Sequence, residues 1–443
     1  MVEFLQNIKD MNIIRYPEEK DYKILSERPH LDKADLTATV RSVLDRVRNE
    51  GDIAVRHYEQ MFDHVDFPHP EDLKVTQEEM DEAENLVDED LKASLLLAYG
   101  NIKRFHEAQR FESQRVTTMP GVTCWQKSVP IERVGLYVPG GTAPLFSTVL
   151  MLATPAKIAG CKEIVLCTPP NREGKVHPAI LVAARISGVS QIFKAGGAQA
   201  IAAMAYGNAV VPKVDKIFGP GNQYVMAAKQ QVSLDGVGID MPAGPSEVCV
   251  IADRHSDVSI VAADLLSQAE HGPDSQVVLV TDSERLIDKM PDELERQLQQ
   301  LPRRDIAIRA LEKSTLILVK DTDEAIRFSN EYAPEHLIIY TRNYEELADK
   351  VVNAGSVFLG RYACESAGDY ASGTNHTLPT SGYARSYSGV NLDSYCRKIT
   401  FQHLTEEGIQ SIGHAVETMA AHEQLQAHKN AMTLRFKPIN EEQ

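Results

Sequence analysis

The sequence lacks the marks of a secreted, membrane-bound or disulfide-stabilised protein. No apolar run approaches the roughly 20 residues that a membrane-spanning helix needs. The N-terminal segment has neither a basic start followed by an apolar stretch nor a twin-arginine pattern, so no secretory signal is visible. The 6 cysteines are scattered without a Cys-x-x-Cys pair, which fits reduced thiols better than a disulfide framework. We therefore expect a cytoplasmic protein.

Basic residues are fewer than acidic residues. Lys and Arg total 46 against 63 Asp and Glu, which gives a formal net charge of -17. Such a charge repels polyphosphates and anionic membrane surfaces, so we expect neither nucleic acid nor a membrane as a partner. The composition is otherwise globular, with 43% hydrophobic and 25% charged residues. A chain of 443 residues exceeds what one hydrophobic core supports, and two or more domains are expected.

Two stretches of alternating strands and helices predict the fold. The first runs from about Val134 to Pro242, and the second restarts at Glu247. Short apolar strands followed by helical segments are typical of βαβ units, which form mostly parallel sheets. The strands that this pattern predicts include 163–168, 191–194, 216–218, 247–251, 276–281, 315–319, 336–340 and 356–359. The predicted fold class is α/β, with two α/β units.

The remaining segments are mainly helical, and extended runs are predicted at 121–129 and 133–138. Apolar residues recur at three- and four-residue spacing between 33 and 110, and an amphipathic helix is predicted at 405–421. Because the second unit restarts with strands, we expect the first helical segment to pack against it. The predicted organisation is an N-terminal segment 1–29, a main α/β domain of 30–133 plus 243–390, an inserted domain 134–242, and a C-terminal tail 391–443.

Gln268 and His271 are polar residues at the end of an otherwise apolar helix. Their three-residue spacing puts them on one helix face. An amide oxygen and an imidazole nitrogen can both ligate zinc, but a histidine near a helix C-terminus is also favoured by the helix dipole. The residues alone favour capping, and a metal site stays open as the alternative.

Glu335 and His336 stand at the start of a predicted buried strand. Buried charges are costly unless they are paired or used. Histidine is the usual general base near neutral pH, and an adjacent carboxylate can polarise water, so a catalytic role and a structural role are both compatible with this pair. Their position is unusual, since ligands of open α/β sheets bind at the carboxyl ends of strands.

Two more segments contain polar residues that could belong to a binding or catalytic site. The stretch 367–376 contains glycines together with Asp369 and His376, and glycines permit close backbone approach to a ligand. A plain connecting loop explains it equally well. In the tail, Glu423 and His428 lie in a polar stretch that an exposed helix end also explains.

The sequence has no Gly-x-Gly-x-x-Gly fingerprint of dinucleotide binding. Glycine-rich turns at 139–141, 196–197 and 219–221 each precede a predicted helix, whose N-terminal amides can receive phosphate. Such turns are common without a nucleotide, so by themselves they leave nucleotide binding open.

Longer motifs, taken together, carry a family resemblance. Four segments closely resemble histidinol dehydrogenases: Ile239-Asp-Met-Pro-Ala-Gly-Pro-Ser-Glu247, Asp264-Leu-Leu-Ser-Gln-Ala-Glu-His271, Ala333-Pro-Glu-His336, and Gly368-Asp369 to His376. Val134-Gly-Leu-Tyr-Val-Pro-Gly-Gly141, Gly219-Pro-Gly-Asn222 and the tail 423–435 are similar to the same family. The resemblance runs from end to end of the chain in consistent order.

The resemblance implies a zinc-dependent, NAD-linked enzyme. Such an enzyme oxidises L-histidinol through L-histidinaldehyde to L-histidine, the last step of histidine biosynthesis. The resemblance implies two incomplete Rossmann-like units with smaller terminal segments, in an aldehyde-dehydrogenase-like arrangement. It also implies an intertwined homodimer with one zinc ion per subunit. The implied zinc ligands are Gln268, His271, Asp369 and, from the partner subunit, His428.

The resemblance also implies roles for other residues. His336 would be the base, Glu335 would activate water, and His376 would assist them. The implied substrate contacts are Ser246, Gln268, His271, His336, Asp369, Glu423 and His428. The implied nucleotide contacts are Tyr137, Gln199 and Asn222.

Two other functions stay open at this point. A zinc hydrolase could use Glu335 to activate water without a redox partner. A zinc- or nucleotide-binding protein could use the same pockets without catalysis. Formation of two NADH per histidinol separates the dehydrogenase from both.

Overall fold

A computed structural model describes residues 11–28, 33–140 and 143–436. Gly141 of the predicted turn 139–141 lies outside these residues, as does part of the predicted N-terminal segment 1–29. None of the helices in the described ranges is both long and apolar enough to cross a bilayer. Strands and helices alternate along two parallel sheets, which confirms the predicted α/β class.

The chain opens with one strand and a series of helices. Helix starts in this region follow local capping rules: Thr76 accepts a hydrogen bond from the backbone of Glu79 at 3.2 Å, and the Glu79 side chain accepts one from the backbone of Thr76 at 2.9 Å. The elements are β1 (Asn12–Arg15), α1 (Tyr22–Leu25), α2 (Lys33–Glu50), α3 (Asp52–Tyr58), α4 (Gln77–Leu86) and α5 (Glu89–Glu107). A hairpin follows, formed by β2 (Arg115–Met119) and β3 (Val122–Pro130).

The first α/β unit is a five-stranded parallel sheet. Its elements are β4 (Arg133–Tyr137), α6 (Phe146–Ala159), β5 (Glu163–Thr168), α7 (Pro178–Ser187), β6 (Gln191–Lys194), α8 (Gly197–Tyr206), β7 (Lys216–Phe218), α9 (Gln223–Leu234) and β8 (Gly238–Ile239). The strand order is β6-β5-β4-β7-β8. This is the 3-2-1-4-5 order of a Rossmann-like sheet, and it places the topological switch point between β4 and β7.

The second α/β unit repeats this order. Its elements are β9 (Glu247–Ala252), α10 (Val258–Ala269), β10 (Gln276–Thr281), α11 (Glu284–Leu298), α12 (Arg304–Leu311), β11 (Thr315–Leu318), α13 (Thr322–Tyr332), β12 (His336–Tyr340), α14 (Tyr344–Ala348) and β13 (Ser356–Leu359). The strand order is β1-β11-β10-β9-β12-β13, so the N-terminal strand β1 is added at one edge. Every residue of β9, β10 and β12 is buried, which explains why these strands are continuous apolar runs in the sequence.

The C-terminal part returns to the hairpin and then becomes helical. Its elements are α15 (Glu365–Tyr370), β14 (Cys396–Leu404), α16 (Glu406–His422) and α17 (Gln426–Thr433). β14 pairs antiparallel with β3, from Cys396 opposite Pro130 to Leu404 opposite Val122, and completes a three-stranded sheet.

Helices α2 to α5 pack on the five-stranded sheet, which corrects the expectation that the helical segment from residue 33 to 110 packs against the second unit. Val40 and Leu44 of α2 share a buried cluster with Tyr137 of β4, and Ile102 of α5 shares another with Leu136. The physical reason is that α10 to α13 already cover the six-stranded sheet. The domain limits at 134 and 242 stay a prediction.

Candidate active site

Five predicted residues cluster at the amino edge of the six-stranded sheet. Gln268 lies in the last turn of α10, and His271 follows that helix. Glu335 precedes β12, His336 is the first residue of that strand, and Asp369 lies on α15. In a βαβ unit the helix runs back against the strands, so helix C-termini and strand starts share one edge. This connection places the helix-end residues Gln268 and His271 beside the Glu335-His336 pair.

The Asp369 carboxylate is the centre of the cluster. Its oxygens lie 4.0 Å from Nε2 of His271, 3.6 Å from Nε2 of His336 and 4.0 Å from Nδ1 of His376. Burial would raise the pKa of Asp369, but the surrounding imidazoles hold it below its ordinary value. Burial lowers the pKa of His271 and of His376, which favours the neutral form that binds metal ions.

Two buried atoms of this cluster have no hydrogen-bond partner among the described residues. They are Oδ1 of Asp369 and Nε2 of His336. Unpaired buried polar atoms are uncommon in folded proteins and call for an explanation. Ligand atoms of His271, Glu365 and Asp369 lie within 4.8 Å of one another. Nitrogen and oxygen donors at this spacing fit a zinc ion.

Gln268 is fully buried, and its amide faces a carboxylate that the sequence did not predict as part of the site. With the amide nitrogen turned toward Glu365, it lies 2.7 and 3.2 Å from the two carboxylate oxygens and 3.2 Å from Nδ1 of His336. The opposite orientation would set an amide oxygen against a carboxylate oxygen. Glu365 is 1% exposed and begins α15.

The backbone of Glu247 holds the Glu335-His336 pair. The Glu247 N–H donates to Oε2 of Glu335 at 2.9 Å, and the Glu247 carbonyl oxygen lies 3.3 Å from Nδ1 of His336. Burial raises the pKa of Glu335 to about 8. Burial would lower the pKa of His336, but the carboxylates of Glu365, Glu335 and Asp369 raise it to about 10. The protonation states of this acid and this imidazole are therefore coupled.

His376 connects the two α/β units. Its Nδ1 lies 2.9 Å from the backbone oxygen of Asp369, and its Nε2 lies 3.1 Å from Oγ1 of Thr148 on α6. The neighbouring Asn375 donates from its side chain to the carbonyl of Met151, also on α6, at 2.7 Å. These hydrogen bonds fix the Asp369 cluster to the first α/β unit.

Three of the predicted substrate contacts lie outside the Asp369 cluster. Ser246 is half-buried beside Glu247, and its carbonyl accepts a hydrogen bond from the backbone of Gln276 at 3.1 Å. Glu423 follows α16 and His428 lies on α17, and both are exposed. Over the described part of the chain, no hydrogen bond or ion pair joins these two tail residues to the cluster.

The three predicted nucleotide contacts lie at the carboxyl edge of the five-stranded sheet. Tyr137 ends β4, Gln199 lies on α8, and Asn222 is the N-cap of α9. Gly219 follows β7 with φ +125°, and a Cβ there would stand 2.0 Å from the carbonyl oxygen of Tyr137. Only glycine allows the chain to pass so closely over the end of β4. This is the switch-point crevice where Rossmann-like sheets bind nucleotides.

Gln199 is buried rather than open to this crevice. Its amide nitrogen donates to Oε1 of Glu59 at 3.0 Å, and the N–H of Gly196 donates to the same oxygen at 3.1 Å. Tyr137 is also buried, and its hydroxyl accepts the N–H of Gly197 at 3.1 Å. The Glu59 carboxylate therefore occupies the N-terminus of α8, and Asn222 is the exposed member of the three predicted contacts.

Sequence reasoning missed Glu365, Glu247 and Arg28. Glu365 precedes Asp369 by four positions on a short helix, a spacing that places both on one face and could have signalled it. Glu247 ends the motif 239–247, but the sequence pattern assigned it no role. Arg28, which forms an ion pair with Glu247 at 2.8 Å, has no local signal, because its partner lies far along the chain.

The fold and the two clusters are typical of an α/β enzyme that combines a nucleotide crevice with a metal site. The sequence model of the family described as histidinol dehydrogenase matches residues 26–436. The chain belongs to the histidinol dehydrogenase family, and it is an oxidoreductase. This confirms the predicted family.

Similar proteins match over nearly the whole chain. The chain is 62% identical over 429 residues to the histidinol dehydrogenase of Bacteroides thetaiotaomicron, covering 97% of this chain and 100% of that one. It is 51% identical over 429 residues to the histidinol dehydrogenase of Salmonella typhimurium, covering 96% and 97% respectively. The crystal structure of histidinol dehydrogenase from Elizabethkingia anophelis has 51% identity and a TM-score of 0.94, covering 97% of this chain and 99% of that one.

Proposed function

We propose that this chain oxidises L-histidinol through L-histidinaldehyde to L-histidine, with two NAD molecules as hydride acceptors, as the last step of histidine biosynthesis. Family membership supports the reaction. The observation that carries the proposal is the buried Asp369 carboxylate with His271, His336 and His376 at 3.6 to 4.0 Å. Glu335 lies beside this cluster, 3.6 Å from His336.

The metal part of the proposal rests on the donor set. Gln268, His271 and Asp369 would hold one zinc ion per subunit, and His428 from a second copy of the chain would complete the set. The orphaned Oδ1 of Asp369 supports a cation at this position. Bound there, zinc would orient the substrate through its amine and an imidazole nitrogen. The exposure of His428 on α17 is compatible with its supply to a neighbouring subunit.

His336 would be the base in both oxidations. In the first, it takes the hydroxyl proton while carbon gives up hydride to NAD, and the alcohol becomes an aldehyde. When the Glu247 carbonyl holds a proton on Nδ1, the unpartnered Nε2 is the nitrogen free to accept another. The carboxylates that raise the pKa of His336 are the same groups whose charge a bound cation would offset.

Glu335 would serve the second oxidation. An aldehyde has no hydroxyl proton to lose, so water must first add to its carbonyl carbon. Glu335 would take a proton from that water, while the protonated His336 would return its proton to the carbonyl oxygen, which gives the diol and leaves His336 free to act as a base again. The diol then loses a hydroxyl proton to His336 and hydride to a second NAD, which leaves the carboxylic acid. His376 would assist in fixing the site.

The remaining contacts follow the resemblance. Ser246 and Glu423 would contact the substrate, with Glu423 suited to a positively charged group. Tyr137, Gln199 and Asn222 would contact NAD at the edge of the domain 134–242. Because Tyr137 and Gln199 are buried, their side chains would act mainly by shaping the crevice. The tail 391–443 would reach the partner subunit of an intertwined homodimer.

The test is the stoichiometry of NADH formation, with Glu335→Gln as the variant. Wild-type protein should form two NADH per histidinol. Glu335→Gln keeps an acceptor for the Glu247 N–H, so it should retain the first oxidation and lose aldehyde oxidation by about 10²–10⁴-fold. Glu324→Gln is the matched control, since Glu324 is equally buried but bonds to Tyr22. No NADH from wild-type protein would contradict the proposal and favour a hydrolase.

A further inference from the structure

The buried carboxylate of Glu365 lies behind the proposed zinc ligands, and the resemblance gives it no role. It is 1% exposed and stands four residues before Asp369 on α15. A buried ionised group needs hydrogen-bond donors to offset the loss of water. When the nitrogen of the Gln268 amide is turned toward Glu365, it lies within hydrogen-bond distance of both carboxylate oxygens, at 2.7 and 3.2 Å.

The contact fixes the direction of the Gln268 amide. An amide side chain has a donor end and an acceptor end, and the two look alike in shape. With the nitrogen directed at Glu365, the amide oxygen points away from that carboxylate and is the amide atom that can act as a ligand. When Glu365 is ionised, the reverse orientation would set two oxygens 2.7 Å apart without a hydrogen between them. The carboxylate therefore selects one of two orientations.

We propose that Glu365 is a positioning residue that orients the Gln268 amide so that its oxygen, not its nitrogen, is presented to the metal. This inference rests on the proposed zinc site and adds a residue to it. Outer groups that hydrogen-bond to metal ligands fix ligand orientation, and their loss commonly lowers metal affinity by about 10–100-fold. Both oxygens of Glu365 face the same amide nitrogen, which favours this role over direct ligation.

The same amide borders the proposed base. Its nitrogen is 3.2 Å from Nδ1 of His336, and the Glu247 carbonyl oxygen is 3.3 Å from that Nδ1. An N–H directed at Nδ1 and a carbonyl acceptor favour opposite tautomers of the ring. The orientation that Glu365 imposes on Gln268 therefore also influences which nitrogen of the His336 ring carries the proton and which can accept one.

The experiment is a double-mutant cycle read by zinc affinity. Purified wild-type protein, Glu365→Gln, Gln268→Ala and the double variant are titrated with zinc against a chromophoric chelator. Glu365→Gln should weaken zinc binding by about 10–100-fold. If Glu365 acts through Gln268, the double variant should bind zinc about as weakly as Gln268→Ala alone, within roughly 3-fold. Glu324→Gln, a buried carboxylate outside the site, should bind zinc like wild type.

An exchange variant protects the test against a folding defect. In Glu365→Gln with Gln268→Glu, the amide and the carboxylate trade places, so the hydrogen bond between them is kept. Zinc affinity should then recover to within about 10-fold of the wild-type value. Thermal unfolding of each variant, compared with that of Glu324→Gln, shows whether weak binding comes from a damaged fold.

The outcomes are distinguishable. Unchanged zinc affinity in Glu365→Gln overturns the inference alone. Losses that multiply in the double variant also overturn it, because they indicate that Glu365 is itself a ligand. Wild-type protein that binds no zinc overturns the proposed metal site, and this inference with it, and is recognised before any variant is measured.

Discussion

Replacement of Arg28 by methionine should destabilise the protein by about 3–5 kcal/mol, because it leaves a buried carboxylate without its partner. Arg28 donates two hydrogen bonds to the Glu247 carboxylate, from Nε to Oε2 at 2.9 Å and from a terminal nitrogen to Oε1 at 2.8 Å. The two side chains are 18% and 2% exposed. The guanidinium also lies 3.8 Å from the ring centroid of Tyr332. Methionine keeps the apolar stem and removes the charge.

The matched control is Arg15→Met. Arg15 forms an ion pair with Asp288 at 2.7 Å, as short as the Arg28 pair, but the two side chains are 44% and 62% exposed. Exposed pairs contribute about 0–1 kcal/mol, so this variant should unfold much like wild type. The contrast separates the effect of burial from the effect of losing an arginine.

The assay is urea unfolding followed by far-ultraviolet circular dichroism at pH 7.5, at one protein concentration. Adding Glu247→Gln to Arg28→Met should recover part of the lost free energy, since no uncompensated buried charge remains. A difference below about 1 kcal/mol between Arg28→Met and Arg15→Met would refute the reasoning. Activity should also fall in Arg28→Met, because the backbone of Glu247 holds Glu335 and His336.

Two further predictions concern the nucleotide crevice and the dimer. Burial and the neighbouring Asp63 raise the pKa of Glu59 above its ordinary value of 4.5, so folding disfavours the ionised form. Wild-type stability therefore falls as the pH rises above 4.5 toward the pKa of the folded state. The melting-temperature advantage of Glu59→Gln should therefore grow between pH 5 and 9, and a constant difference would contradict it. Mixing the inactive variants Asp369→Ala and His428→Ala should restore some activity through hybrid dimers with one intact site; no recovery after verified subunit exchange would count against a shared site.

Local sequence patterns predicted both parallel sheets but not how distant segments join them. Buried parallel strands appear in a sequence as short apolar runs, and 336–340 and 276–281 have the predicted bounds. The strand β1 pairs with β11, about 300 positions later, and the residues of β1 alone do not indicate which strand it pairs with. The strand β14 was missed because its residues are mostly exposed and lack an apolar run.

The site was predictable where its residues lie in long motifs, and unpredictable where a contact joins remote segments. Asp369 and its three histidines come from three separate motifs, and the structure brings them together. The packing of α2 and α5 could not be read from periodicity, because an amphipathic helix shows that it has a buried face but not which sheet covers it.

The amino-edge position of Glu335 and His336 follows from how the two units meet. Nucleotide crevices of parallel sheets form at carboxyl edges, and the crevice of the first unit is at such an edge. Helix α6 follows directly from that edge, and its residue Thr148 bonds to His376 of the cluster at 3.1 Å. The first turns of α6 therefore stand between the carboxyl edge of one sheet and the amino edge of the other. The proposed hydride acceptor at the first edge and the proposed substrate at the second would then meet beside the start of this helix, and this would explain why Glu335 and His336 stand at the end of β12 that faces it. If the pair stood at the carboxyl end of β12, it would lie on the far side of the six-stranded sheet from the crevice.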